Sequence, residues 1–177
     1  MTRPSEGSAM QVLPRFRDDG DAVRLIVDGE PFLILGGELG NSTASHASAL
    51  DPCWATLEAL NVNTLLAPVY WELVEPEEGR FDFASLDALI AGARAHGLRL
   101  VLLWFGAWKN SMSTYVPAWV KRDGERFAHA RDASGRPVEI FSALHDGLLT
   151  ADVEAYVAML RRVRELDPRG DTVLMVQ

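Results

Sequence analysis

Tryptophan, carboxylate and amide side chains stand directly after three apolar stretches of this sequence. Aromatic rings pack on the apolar C–H faces of sugar rings, while carboxylates and amides form hydrogen bonds with sugar hydroxyl groups. The pattern therefore predicts a surface that binds a carbohydrate substrate. The predicted substrate-binding residues are Glu38, Asn41, Trp71, Glu72, Trp108, Lys109 and Asn110. Each also has a structural alternative, such as a solvated loop carboxylate for Glu38 and core packing for Trp71.

Other residues that could carry chemistry are predicted to have structural roles. Glu75 precedes Pro76 and is expected to fix a turn, and Cys53 lies on the inward face of a predicted helix as a buried thiol. The four histidines lack the spacing of metal ligands, so no metal ion is predicted. A dinucleotide-binding loop is excluded because Leu35 stands where its first glycine would be.

Composition narrows the class of protein. The chain has 177 residues, about one domain, and 48% hydrophobic residues, enough for a core. A net charge of −8 argues against a nucleic-acid partner, and a single cysteine excludes a disulfide scaffold. No apolar run approaches the roughly 18 residues of a membrane span, so no membrane partner is expected.

The first 20 residues contain charges and prolines but no secretory signal of the usual kind. We therefore expect residues 1–20 to form a flexible lead-in. The same observation predicts a cytoplasmic protein, or a periplasmic one if the start codon is misassigned.

Apolar runs and turn residues predict alternating strands and helices. Strands are predicted at residues 22–27, 31–35, 63–70, 98–105 and 172–176. The first two flank Asp28, Gly29 and Glu30 and should form a hairpin, and 31–35 should be buried on both faces. The segment 36–42 is predicted to be a loop, and 106–147 to be mostly irregular.

Four helices are predicted between these strands. They run from Asp51 to Leu60, from Ser85 to about His96, near residues 117–122, and from Thr150 onward. Asp51 and Pro52 match a helix cap followed by a first-turn proline. The first, second and fourth of these helices should each bury one side, by their apolar spacing. The predicted inward residues are Cys53, Leu57 and Leu60 in the first helix, Leu86, Leu89, Ile90 and Ala93 in the second, and Val153, Val157 and Leu160 in the fourth.

The alternation of buried strands and helices predicts an α/β fold with a parallel sheet. A complete (β/α)₈ TIM barrel needs about 250 residues. We therefore expect residues 21–177 to form the N-terminal half of such a barrel, about the first four βα units, truncated and preceded by a short β-hairpin. Active sites of these barrels lie at the carboxyl ends of the strands, where the seven predicted residues stand.

One segment resembles a known family. The sequence VYWELVEPEEGRFDF at residues 69–83 is similar to the second-strand segment of β-galactosidases of glycoside hydrolase families 35 and 42. NVNT at 61–64 and GGEL at 36–39 match the same pattern, and LWFGAWKN at 103–110 resembles a subgroup of family 35 with a family 42-like N-terminal domain. The resemblance covers about residues 22–177 and separates the two families poorly.

The resemblance implies a retaining glycosidase that hydrolyses terminal β-galactosides with two carboxylates and no cofactor. In that family the acid/base follows an asparagine after the fourth strand, so it would lie just past Gln177, and the nucleophile lies on the seventh strand. The resemblance therefore assigns no catalytic residue to this chain, which is expected to be inactive alone. The complete protein is a possible homo-oligomer.

Three alternatives stay open at this point. The first is a cellulase- or mannanase-like barrel of the same clan. The second is a carbohydrate-binding protein without catalytic activity, and the third is a small, complete α/β protein that binds another ligand.

Overall fold

The computed structural model describes residues 13–109 and 114–177. In chain order its elements are β1 (Arg15–Asp18), β2 (Val23–Val27), β3 (Glu30–Pro31), β4 (Gly36–Glu38), α1 (Ala47–Ala59), β5 (Thr64–Tyr70), α2 (Trp71–Val74), α3 (Ala84–Ala95), β6 (Arg99–Phe105), α4 (Ala118–Arg122), β7 (His129–Arg131), β8 (Pro137–Phe141), α5 (Asp146–Leu166) and β9 (Val173–Val176).

A four-stranded parallel sheet forms the centre of the chain. Its strand order is β4-β5-β6-β9, so each strand pairs with the next one along the sequence. Helices α1, α3 and α5 each follow a strand of this sheet and connect it to the next. The predicted α/β class and parallel sheet are confirmed, and the strands predicted at 63–70, 98–105 and 172–176 lie within a residue of β5, β6 and β9.

The predicted N-terminal hairpin is confirmed by the antiparallel pairing of β2 with β3. The predicted lead-in is too long, because β1 pairs with β2 along four residues and completes a small three-stranded sheet. The sequence does not show this strand because all four residues of β1 are exposed and three of them are charged, so the segment has no apolar pattern. The rest of the predicted lead-in, residues 1–12, lies outside the described residues.

The buried strand predicted at 31–35 is wrong. Leu33 and Leu35 are 75% and 55% exposed, and the strand of the parallel sheet is formed instead by the glycine-rich segment after them, β4. The side chain of Asn63 explains the difference, because it accepts a hydrogen bond from the Leu35 amide and donates one to the Leu33 carbonyl. A methyl group on Gly36 would lie 2.7 Å from the Thr64 carbonyl oxygen, so the close pairing of β4 with β5 requires glycine.

Helix α1 begins a turn earlier than the sequence predicts. His46 occupies the N-cap and its ring accepts from the Ser48 amide, so Pro52 lies inside the helix rather than at its first position. The buried residues are Leu50, Trp54 and Leu57, whereas Leu60 is 65% exposed. The predicted inward face is therefore rotated, and Cys53 is only partly buried.

Helix α3 agrees with its prediction. All four of its predicted inward residues are buried, and these are Leu86, Leu89, Ile90 and Ala93. Gly97 ends the segment with a φ of 65°, a left-handed conformation that glycine adopts without a Cβ penalty.

Helix α5 begins at Asp146, four residues before the predicted cap at Thr150. Its buried residues are Leu148, Ala155 and Met159. Of the predicted inward residues, Leu160 packs against the main core whereas Val153 is 48% exposed, so the predicted inward face is only partly correct. The short helix near 117–122 is confirmed as α4, but the β7–β8 hairpin was not predicted. Its strands are short and partly exposed, and therefore lack an apolar pattern.

The main apolar core lies between the parallel sheet and its helices, and a second cluster lies around Trp71 and Phe127. Within the described residues, none of the helices has the length and apolar content needed to cross a membrane.

The contact of α1 with α3 yields a stability prediction. A methyl group on Gly92 of α3 would lie 2.5 Å from the indole ring of Trp54, which is 7% exposed and stacked on His96. Gly92→Ala should therefore lower the free energy of unfolding by about 1–3 kcal/mol, despite the better helix propensity of alanine. Urea unfolding measures this change. Gly124→Ala, where nothing lies within 4 Å of the new methyl, is the control and should be near neutral.

Candidate functional site

The carboxyl ends of β4, β5 and β6 bring three side chains to one face of the parallel sheet. Glu38 pairs in register with Leu66, and Tyr70 pairs with Phe105. Alternate residues of a strand point to the same face, so Leu66 and Tyr70 of β5 share a face. Glu38 of β4 and Phe105 of β6 lie on that face too, because they pair with these two residues. We call the surface that comprises Glu38, Tyr70, Phe105, Lys109 and Tyr115 the strand-end face.

Three aromatic rings form the floor of the strand-end face. The ring centroids of Tyr70 and Phe105 are 5.7 Å apart, and that of Tyr115 lies 5.6 Å from the first and 4.9 Å from the second. Above this floor, the ammonium nitrogen of Lys109 lies 4.3 Å from the centroid of the Phe105 ring. This geometry is a cation–π contact, and it holds a positive charge over the aromatic floor.

The hydroxyl group of Tyr70 is buried in this floor. Burial raises the pKa of Tyr70 to about 12, the nearby Ala44 backbone opposes the shift, and the Tyr115 side chain adds to it. The hydroxyl makes no hydrogen bond of normal geometry within the described part of the chain. Tyr70 is therefore neutral at physiological pH.

The predicted site residues after β4 and β6 are exposed to different degrees. Glu38 and Asn41 are exposed, and the carboxylate of Glu38 has no hydrogen-bond or ion-pair partner among the described residues. Trp108 is 54% exposed, and Lys109 is partly buried. Glu38 and Lys109 both lie on the strand-end face, whereas Asn110 lies outside the described residues.

Trp71 has no surface free for a sugar, so its predicted substrate contact is corrected. Its side chain is completely buried, its ring packs edge-on against Trp119 with centroids 6.1 Å apart, and its indole N–H donates to Glu75 Oε2 at 2.9 Å. The other oxygen of Glu75 accepts from the Gly79 amide at 2.8 Å. The prediction that Glu75 fixes a turn is therefore confirmed, and Trp71 belongs to the same structural unit.

The carboxylate of Glu72 forms an ion pair within the chain. The ammonium group of Lys121 donates to its Oε2 at 3.3 Å, and both side chains are partly exposed. This ion pair links α2 to α4. It does not exclude a substrate contact, but the Glu72 carboxylate differs from that of Glu38 in having a partner.

Two hydrogen bonds join the start and the end of the loop that follows β6. The Tyr115 amide donates to the Gly106 carbonyl at 3.1 Å, and the Thr114 hydroxyl donates to the Ala107 carbonyl at 2.7 Å. Both ends of the 107–115 segment therefore meet at the carboxyl end of β6. Trp108 and Lys109 leave the sheet from this point.

Sequence reasoning missed Tyr115, Tyr70 and Asp152. Tyr115 lies in a segment without periodicity, so nothing in the sequence indicates that it returns to Phe105. Tyr70 is the last residue of an apolar run and resembles ordinary core packing. Asp152 stands just after the helix cap predicted at Thr150, where an acidic residue has the ordinary role of complementing the helix dipole.

Two further observations concern metal ligands and grooves in the described part of the chain. In the ranges 13–109 and 114–177, no group of three or more histidine, cysteine or acidic side chains is arranged to hold a metal ion. A large groove of about 880 Å³ lies between the turn that contains Glu78 and the outer side of α5. None of the residues of the strand-end face lines it, so it is separate from the candidate site.

Sequence comparisons give a consistent family. The model of glycoside hydrolase family 42, described as β-galactosidase, matches residues 50–142. A curated β-galactosidase from Xanthomonas manihotis is 30% identical over 102 residues, which are 56% of this chain and 17% of that protein. The chain thus matches only about a sixth of the length of this relative.

Solved structures share the fold. The catalytic domain of β-amylase from Paenibacillus polymyxa superimposes with a TM-score of 0.56 and 18% identity, covering 75% of this chain and 34% of that one. The exo-β-1,4-mannosidase Op5Man5 from Opitutaceae bacterium strain TAV5 superimposes with a TM-score of 0.55 and 20% identity, covering 99% of this chain and 27% of that one. Both are TIM-barrel glycosidases, and at these identities they indicate the fold alone.

Because both oxygens of Glu75 accept hydrogen bonds, its substitution yields a stability prediction with a matched control. Glu75→Gln places an amide NH₂ against one of the two N–H donors and should lower the free energy of unfolding by about 1–3 kcal/mol. The control is Glu77→Gln, which removes an exposed ion pair with Arg80 and should change it by less than about 1 kcal/mol. Urea unfolding of both variants measures the difference, and equal effects would contradict the assignment.

The unpartnered hydroxyl of Tyr70 yields a pH-dependent prediction. The pKa of Tyr70 is about 12 in the folded chain and 10.0 in the unfolded chain. Its contribution to the free energy of unfolding is therefore complete below pH 10 and is lost as the pH rises through 12. Tyr70→Phe should match or exceed the wild type in stability at pH 8. At pH 11 the wild type should have lost about 1 kcal/mol more than the variant, as measured by urea unfolding. A variant that is markedly less stable at pH 8 would show that the hydroxyl has a partner.

Proposed function

Because the chain belongs to the glycoside hydrolase family 42 β-galactosidases, whose model matches more than half of it, we propose that the complete protein hydrolyses terminal β-galactosides. The glycosidase class follows from the family. The galactoside substrate, the mechanism and the roles of individual residues are the content of the proposal.

The chain contributes the first half of a (β/α)₈ barrel in this proposal, with residues 21–177 supplying about four βα units. Its four parallel strands pair in sequence order, as consecutive barrel strands do, and β4 and β9 each have one edge without a partner among the described strands. The two solved glycosidases, of which the chain covers 34% and 27%, support this arrangement. The remaining strands would pair with the open edges of β4 and β9.

The strand-end face is the observation that carries the proposal. A barrel places its active site at the carboxyl ends of the strands, and this face lies there. The exposed, unpartnered carboxylate of Glu38 can accept hydrogen bonds from sugar hydroxyls, and the ammonium group of Lys109 can donate them. Asn41, Glu72 and Trp108 are proposed to complete the subsite, and Asn110, outside the described residues, is included on the sequence prediction alone.

The hydrolysis itself is proposed to proceed with retention, through two carboxylates about 5–5.5 Å apart. Glu75 is buried with both oxygens occupied, so it is unsuited to be either one. Gln177 pairs with β6, since its amide donates to the Leu102 carbonyl and its carbonyl accepts from the Trp104 amide. Residues directly after Gln177 would therefore emerge beside the strand-end face, where we place the acid/base.

This assignment leaves the 177 residues alone without a catalytic pair. The isolated chain is therefore proposed to be inactive, and the complete protein is proposed to need no metal ion or organic cofactor.

Substrate profiling of the complete gene product that includes this chain tests the proposal. We expect turnover of 4-nitrophenyl β-galactoside, with β-galactose as the first anomer observed by NMR. Preferential turnover of the β-mannoside or a β-glucan would identify the cellulase- or mannanase-like alternative. Sugar binding without turnover would identify a non-catalytic carbohydrate-binding protein.

A Glu38→Gln variant tests the site. Loss of a hydrogen-bonding carboxylate should lower kcat/KM about 10- to 100-fold, because a hydrogen bond to a charged group contributes about 1.5–3 kcal/mol. Glu30→Gln is the matched control, since Glu30 is also exposed but lies in the N-terminal antiparallel sheet. Equal kcat/KM values for the two variants would remove Glu38 from the subsite.

A further inference from the structure

A carboxylate on α5 holds the start of the loop that carries Trp108 and Lys109. Asp152 Oδ1 accepts a hydrogen bond from the indole N–H of Trp104 at 2.7 Å, and its Oδ2 accepts one from the Ala107 backbone amide at 2.9 Å. Trp104 is on the penultimate position of β6, and Ala107 follows that strand by two residues. Asp152 therefore links helix α5 to the carboxyl end of β6 through two hydrogen bonds.

The approach of this carboxylate depends on a glycine. A methyl group on Gly106 would lie 2.5 Å and 2.7 Å from the two oxygens of Asp152, and 2.6 Å from the indole nitrogen of Trp104. No real Cβ atom approaches oxygen so closely. The absence of a side chain at Gly106 is what allows Asp152 to reach both donors.

The same two backbone residues hold the far end of the loop. Gly106 and Ala107 accept hydrogen bonds from Tyr115 and Thr114 through their carbonyl groups, as described above. The position of this dipeptide therefore determines where both ends of the 107–115 loop lie. Since Asp152 binds the amide of Ala107, it also orients the segment from which Trp108 and Lys109 leave.

We propose that Asp152 is a positioning residue for sugar binding, acting through the Gly106–Ala107 backbone to hold Trp108 and Lys109 at the strand-end face. It contacts no substrate itself. This inference rests on the proposed function, because it concerns the sugar subsite formed in part by Lys109.

The role requires a carboxylate rather than any polar side chain. Two N–H donors converge on the side chain, and a carboxylate offers two acceptor oxygens. An asparagine offers one acceptor, and its NH₂ group would face the other donor. Asp152→Asn should therefore disturb the loop even though the two side chains have almost the same shape.

Kinetics of the complete gene product separate positioning from a purely structural role. Asp152→Asn is expected to raise KM for the aryl β-galactoside about tenfold, the scale of one charged hydrogen bond, and to leave kcat within about twofold. A lower kcat with unchanged KM would indicate a reduced active fraction only, and would overturn the inference. The control is Glu154→Gln, an exposed carboxylate two residues further along α5, which should change neither constant.

A second variant tests the two-donor geometry. Trp104→Phe removes the indole N–H, so the asparagine oxygen can then face the Ala107 amide without a competing donor. In this background Asp152→Asn should raise KM less than about threefold. An effect as large as in the wild-type background would contradict the proposed geometry.

Galactose binding gives a readout that does not need turnover. Tryptophan fluorescence titration should show a Kd about tenfold higher for Asp152→Asn than for the wild type, and hydrogen exchange in residues 104–109 should be faster. If the wild type binds galactose without hydrolysing the glycoside, the proposed activity fails while this comparison still decides the role of Asp152. An unchanged Kd, or no binding by the wild type, would overturn the inference.

Discussion

The parallel pairing of β5 with β6 is the interaction on which the rest of this chain depends. Seven residues of each strand pair without a register shift, from Thr64 beside Arg99 to Tyr70 beside Phe105. A slip of one residue would turn every side chain of the displaced strand to the opposite face. The register therefore brings the two aromatic rings together on the strand-end face, and it directs Leu65, Ala67 and Leu100 into the helix-covered core.

Carboxylates with two very different roles surround this sheet. Asp152 and Glu75 each accept hydrogen bonds from one indole N–H and one backbone amide, and Asp167 accepts from the Thr172 and Val173 amides at the start of β9. These groups hold the segments at the strand ends, and their hydrogen-bonding capacity is used within the fold. Glu38 lies exposed on the strand-end face, and its carboxylate remains available for a ligand.

Long apolar segments could be predicted because burial on both sides leaves little ambiguity. The segments that became β5, β6 and β9 and the inward face of α3 are of this kind, and the 69–83 motif led to the correct family. Local rules failed where a distant side chain intervened. Asn63 binds the backbone at Leu35 and Leu33 from 28 and 30 residues away, so this boundary could not be predicted from neighbouring residues. The early start of α1 has a local cause, because His46 caps the helix although histidine is not among the preferred capping residues, whereas Asp51 is.

The sequence by itself determined the α/β class, the order of the strands, the glycosidase family and the residue types available at the strand ends. Only the tertiary structure decided which of those residues are exposed. Trp71 and Trp108 are both tryptophans after apolar strands, yet one is completely buried against Glu75 and Trp119 while the other is 54% exposed. The physical reason is that exposure depends on packing between segments distant in sequence, which residue type and spacing do not contain.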